Sequence, residues 1–417
     1  MHKHFKWIVA LSLGLVMGIN GANLLAFAPI LGEIARDLNI GIPLAQGSLL
    51  GIFLFVVALS AVAGGVLADR MGIMKTILSA SLAGLIPNLL YPIVGHSLIA
   101  MIALRVIQGY GAGSVFALMP LVAAHWFEAN ERGRVVGILT TILAIGMMAG
   151  VAGSPGLFQA FHSWRAAMFC FGLAGLVFLV LTLIVSANYK KYEPARIADS
   201  ATKRQEGGGW QYMKSALHNP TTYMGILMCM FISWLLNALN DLTPQYFALL
   251  PPMGVGFGPV RAGQLMLGVQ VGSVFGGLVG GFMVDKLFKG NPKPVLFIGF
   301  LITAISVYSI LFPGIYQSGA LLPLLFLAGL AVNFLNPAAA TFVAQTYPEA
   351  IVGKVAGIWL GLGAFGGGFG VICSALCLHA TGTYVLTIRI FALVAFLGLA
   401  LAMLLRRLSY APQPETC

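Results

Sequence analysis

The stretch Gly65-Val66-Leu67-Ala68-Asp69-Arg70 closes one apolar run, and Gly281-Phe282-Met283-Val284-Asp285-Lys286 closes another much later in the chain. A second pair opens apolar runs: Gly133-Arg134-Val135-Val136-Gly137 and Gly353-Lys354-Val355-Ala356-Gly357. Both pairs repeat at an offset of about 216–224 residues. Matching punctuation at that distance divides the chain into two similar halves, each repeating the same set of elements.

Working outward from these marks, apolar runs fall at 8–31, 45–68, 75–95, 98–124, 133–157 and 165–186, then at 221–247, 261–284, 294–313, 320–346, 353–379 and 384–405. Each is close to the ~20 residues that carry a helix across about 30 Å of hydrocarbon. The chain is 59% hydrophobic and 8% charged, with a mean hydropathy of +0.93. Soluble domains carry roughly 25% charged residues, so this composition excludes a water-soluble fold. Glycine and proline interrupt the runs, as membrane helices tolerate. The first run is longer than the roughly 7–15-residue core of a signal peptide, and it reads as a retained span. The expected fold is an all-α membrane protein with twelve transmembrane helices in two pseudo-symmetric six-helix halves. The halves are 1–186 and 221–406, joined by a polar linker over 187–220 and followed by a tail over 407–417. An amphipathic surface helix is a weaker expectation between Trp210 and Leu217.

The net charge is +11, but the basic residues sit in short segments between apolar runs. They form no stripe with interleaved aromatics, so nucleic acid is not an expected partner. With the N-terminus inside, 18 of the 23 Lys and Arg fall on the cytoplasmic side and three (Arg36, Arg165, Arg261) on the other. That asymmetry predicts a multi-pass protein of the cell membrane with both termini cytoplasmic. Four of the five cysteines lie inside apolar runs without metal-ligand spacing. No Gly-Lys-Ser/Thr phosphate loop is present, and the glycine-rich run near Gly366 follows no strand. Neither a metal nor a cofactor is expected, and no enzymatic constellation appears.

The motifs resemble those of the major facilitator superfamily over essentially the full length. The family's motif between spans two and three appears as Gly65, Leu67, Ala68, Asp69, Arg70 and Gly72, departing at Ile73 and Met74, with Lys75 following. Its span-four motif is intact as Arg105, Gln108, Gly109, Gly111 and Gly113. A Trp-Arg entry to span six appears as Trp164, Arg165 and Phe169. The resemblance implies a secondary transporter working by alternating access. It implies that Asp69 and Arg70, with their repeats Asp285 and Lys286, gate the cytoplasmic side. It also implies that glycine ridges on spans five, eight and eleven lie where the halves rock, although static packing fits the same residues. The Gly-Pro pair typical of drug antiporters in span five is replaced by Gly150-Val151.

Polar groups within hydrocarbon are costly and usually face the bundle interior. Asn20 and Asn23 in span one, Arg105 and Gln108 in span four, Asn237, Asn240 and Asp241 in span seven, and Asn333 and Asn336 in span ten each share a helix face. In the resembled fold these four spans surround the central cavity, so these nine residues are the expected substrate site. The alternative for each Asn pair is interhelical hydrogen bonding. Arg105 stays charged, and it needs an anionic group from a substrate or from Asp241. The expected function is secondary active transport of a small polar solute, with an organic anion favoured. The runner-up is efflux of an amphipathic cation or drug by proton antiport, and the rival from another class is a non-transporting membrane receptor. Expected partners are a small-molecule substrate, a coupling proton or counter-anion, and the bilayer, with the chain acting as a monomer.

Overall fold

The computed structural model describes residues 2–192, 209–347 and 349–405. The tail expected at 407–417 and most of the charged linker, residues 193–208, lie outside the described residues. Twelve long helices carry the chain: α1 (His2–Leu25), α2 (Ile52–Met71), α3 (Ile73–Val94), α4 (Leu98–Trp126), α5 (Ala129–Phe161), α6 (Trp164–Tyr192), α7 (Pro220–Ala248), α8 (Gly258–Phe282), α9 (Lys293–Ser309), α10 (Leu321–Thr346), α11 (Glu349–Thr381) and α12 (Val385–Leu404). Among the described residues, eleven spans are long and apolar enough to cross a bilayer, and α9 is a shorter apolar helix of 17 residues. No strand occurs among the described residues. The start of α1, the end of α6 and the start of α7 share one end of the bundle, here called the linker face. The opposite end is the far face.

Sequence explains several boundaries. α1 stops at Leu25, and Pro29 sits in a short 3₁₀ turn, Ala28–Ile30, before the helix Leu31–Asp37. α2 is preceded by a π-helical turn, Gln46–Gly51. α2 and α3 are joined by Gly72 alone, at φ +88°, a conformation that suits glycine. α5 opens with a capping box in which Glu128 and Glu131 satisfy each other's backbone N–H groups. Glu131 also receives the Lys6 ammonium at 2.5 Å, and that hydrogen bond holds its carboxyl below the usual range. In the region expected to be amphipathic, a helix over Gly209–His218 buries Met213 and Ala216.

Large apolar side chains stay exposed along α6 (Leu173, Val177, Val180, Ile184) and α12 (Leu393, Phe396, Leu397, Leu404). Continuous bands of this kind do not persist in water and fit contact with lipid. Inside, α1 packs on α5, α2 on α4, α7 on α11 and α8 on α10. The glycine ridges make these contacts. A Cβ on Gly146 or Gly150 would overlap the Gly18 or Ala22 carbonyl of α1, and one on Gly272 or Gly276 would overlap the Phe326 or Leu330 carbonyl of α10. A Cβ on Gly366 would overlap the Met230 carbonyl of α7. Most of the ridge therefore packs within a half. Helix α11 also turns Gly361 and Gly368 toward Val62 and Phe55 of α2, in the other half.

These contacts predict opposite outcomes for two glycines. Gly366→Ala meets a backbone carbonyl that cannot move aside, and it should cost about 1–3 kcal/mol. Gly277→Ala meets nothing within 4 Å and should stabilise by about 0.5–1 kcal/mol. Thermal unfolding in detergent checks both signs.

Candidate functional site

Arg105 lies on α4, toward the far face, and is fully buried. Its Nε donates to the Leu49 carbonyl at 2.8 Å, and its Nη1 donates to the Asn23 carbonyl at 3.0 Å and to Gln108 Oε1 at 3.1 Å. Both backbone acceptors arise where a helix is interrupted. Leu49 sits in the π-helical turn before α2, and Asn23 lies in the last turn of α1, whose carbonyls lack intrahelical partners. A cation at a helix C-terminus is also favoured by the helix dipole. The guanidinium carbon stands 3.7 Å from the centre of the Phe53 ring and 4.5 Å from that of Phe27. Nη2 has no hydrogen-bond partner.

A chain of amides continues from there. Tyr91 donates to Gln108 Oε1 at 2.9 Å, Gln108 donates to Asn88 Oδ1 at 2.8 Å, Asn88 donates to Asn23 Oδ1 at 2.8 Å, and Asn23 donates to the Gly84 carbonyl at 2.8 Å. Asn20 donates to its own helix at Val16 O, 2.9 Å, and its Oδ1 is unpartnered. Asn20, Asn23, Arg105 and Gln108 thus meet as one buried cluster among α1, α3 and α4. Tyr91 and Asn88 were not singled out from sequence, although a Tyr and an Asn near Pro87 and Pro92 in an apolar run were a legible signal.

The second half contributes Asp241 and Asn240, both buried on α7. Gln270 of α8 donates to Asn240 Oδ1 at 2.6 Å. Asp241 makes no direct ion pair with Arg105, and its Oδ1 is buried with no hydrogen-bond donor. Asn237 and Asn333 are half-buried and donate to their own helices at Ser233 O and Gly329 O, while Asn336 is exposed. Of the nine expected residues, Asn237, Asn333 and Asn336 keep accessible surface, and the other six are sealed inside.

The residues expected to gate stand apart. Asp69, Arg70, Asp285 and Lys286 are exposed at the linker face, and no ion pair joins them among the described residues. A Cβ at Gly65, Gly137, Gly281 or Gly357 of the repeated motifs would meet nothing within 4 Å. The halves touch toward the far face instead. A Cβ on Gly263 of α8 would come within 2.5 Å of the Val151 carbonyl of α5, and one on Gly51 within 2.7 Å of Ile372 of α11. In mid-bundle, Phe55 stacks edge-on against Phe369 at 4.9 Å.

Two similar helical halves that pack on each other toward one face and bury opposite charges on the helices that meet there define a membrane carrier of the secondary-transporter class. Residues 13–292 and 245–416 match the Major Facilitator Superfamily, and the chain belongs to that family of transporters of small solutes. It is 25% identical to a probable nitrate/nitrite transporter of Mycobacterium tuberculosis, over 82% of this chain and 81% of that one. It is 23% identical to a probable sulfoacetate transporter of Cupriavidus necator, over 95% and 92%. It is 24% identical to a chloroplastic sodium-dependent phosphate transport protein of Arabidopsis thaliana over 46% of this chain, covering only 38% of that relative.

Proposed function

We propose that the chain carries a small organic or inorganic anion across the cell membrane by alternating access, with both termini in the cytoplasm. The reading rests on one observation: a buried Arg105 N–H and a buried Asp241 oxygen, in opposite halves, both lack a hydrogen-bond partner. A fixed cation in a low-dielectric setting attracts an anion strongly. Asp241 serves as its counter-charge in the empty carrier. An anion that reaches the cluster takes over that role, and a coupling proton or counter-anion completes the charge balance. Asn237, Asn333 and Asn336 offer amides along the accessible wall. The names of the three relatives, which refer to nitrate/nitrite, sulfoacetate and phosphate, support an anion.

Counterflow in proteoliposomes tests this with phosphate, nitrate, small carboxylates, sulfonates, a sugar and a cationic drug. Saturable exchange of at least one anion is the expected result. Exchange of the cationic drug alone overturns the reading.

In the same cycle, Asp69 and Arg70 engage the second half when the cytoplasmic face closes. Asp69→Asn should therefore slow transport while leaving substrate affinity unchanged. Wild-type rates at matched expression would remove that role.

A further inference from the structure

Gln46 is the first residue of the π-helical turn before α2 and is fully buried at the far face. Its Nε2 donates to the Val371 carbonyl of α11 at 3.3 Å. Its Oε1 lies 2.8 Å from the hydroxyl of Tyr384, which caps α12 and is itself fully buried. The same hydroxyl lies 2.7 Å from Gln245 Oε1 of α7, and Gln245 Nε2 donates to the Asp241 carbonyl at 2.7 Å. Among the described residues, the hydrogen bonds that join the two halves all run through Gln46.

The proton count makes this junction weak by design. A tyrosine hydroxyl has one proton to donate, and two amide oxygens face it. Gln245 is held by a short second bond inside its own half, whereas the second bond of Gln46 is long. The link between halves is the under-satisfied one. A contact meant to hold permanently would be fully paired, since buried unpaired polar groups are costly.

The junction also lies close to the charge pair. Three residues past Gln46, the same π-helical turn presents the Leu49 carbonyl to Arg105. Gln245 is one helical turn beyond Asp241. Any shift of Arg105 against Asp241 therefore moves both sides of the Gln46–Tyr384 contact.

We infer that Gln46 and Tyr384 form the latch that holds the far face closed, and that it releases when the carrier opens on that side. The inference rests on the alternating-access reading and requires no knowledge of the substrate.

The test uses the full chain with its five native cysteines replaced by alanine. A reporter cysteine is placed either at Gly47, beside the latch, or at Gly357, which has open space at the linker face. Labelling by a membrane-impermeant maleimide is timed on each face in sealed and inverted vesicles. Tyr384→Phe keeps the ring and removes the hydroxyl. It should raise the labelling rate at 47 roughly 2- to 12-fold, the shift that loss of one buried hydrogen bond gives, and lower the rate at 357. Gln46→Leu should act in the same direction, and the double variant should add little, because the two residues share one contact. Unchanged labelling at 47 in both single variants overturns the latch. A rise at 47 with no fall at 357 also overturns it, since that marks local loosening rather than a shift between states. Failure to find any anion exchanged would leave both labelling results intact, so the latch and the substrate reading fail separately.

Discussion

Arg105→Gln is expected to abolish transport and to lower stability by roughly 3 kcal/mol or more, the scale of losing more than one hydrogen bond to a charged group. The Leu49 and Asn23 carbonyls would both lose the same donor. Arg105→Lys should recover little, because a single ammonium cannot reproduce a planar fork held between Phe27 and Phe53. The double variant Arg105→Gln/Asp241→Asn separates two roles. If Asp241 is the counter-charge in the empty carrier, removing both charges should restore part of the lost stability while transport stays absent. If the backbone carbonyls dominate, the double variant should be no more stable than the single. Thermal unfolding with and without the anion found by counterflow distinguishes these cases. A stable, fully active Arg105→Gln protein would contradict both.

The architecture was legible because its signals are long and redundant. Twelve apolar runs, a repeated loop motif and an intact Arg105-to-Gly113 motif agree with one another. The meeting of Arg105 with Gln108 was also legible, because i, i+3 spacing puts both on one helix face. The partners of Arg105 were not. They are backbone carbonyls released by a π-helical turn at Gln46–Gly51 and by the end of α1 at Leu25, and no side-chain pattern announces a released carbonyl. Gln46, Gln245, Gln270 and Tyr384 lie outside the polar pairs of spans one, four, seven and ten that mark the expected site. A lone polar residue in or beside an apolar run gives a weaker signal than a pair on one helix face. The glycine ridges fit either surfaces between the halves, as the resemblance implies, or packing within a half. The structure turns Gly146, Gly150, Gly272, Gly276 and Gly366 onto backbone within their own halves. Spacing reveals that a helix is approached closely, but not which neighbour approaches.

Alternating access requires the two halves to part at the far face for a solute to cross. A Cβ built on Gly47 would lie 3.7 Å from the Cβ of Ala375, in the opposite half. That separation falls within the roughly 3.5–4.5 Å span of a disulfide. Gly47→Cys/Ala375→Cys, in a chain without its native cysteines, should therefore cross-link with little distortion. The decisive measurement is anion exchange by this variant in proteoliposomes, before oxidation, after it, and after a reductant is added, with free thiols counted at each stage. Alternating access predicts that exchange stops as the thiols disappear and returns when they reappear. Undiminished exchange by fully cross-linked protein would contradict it.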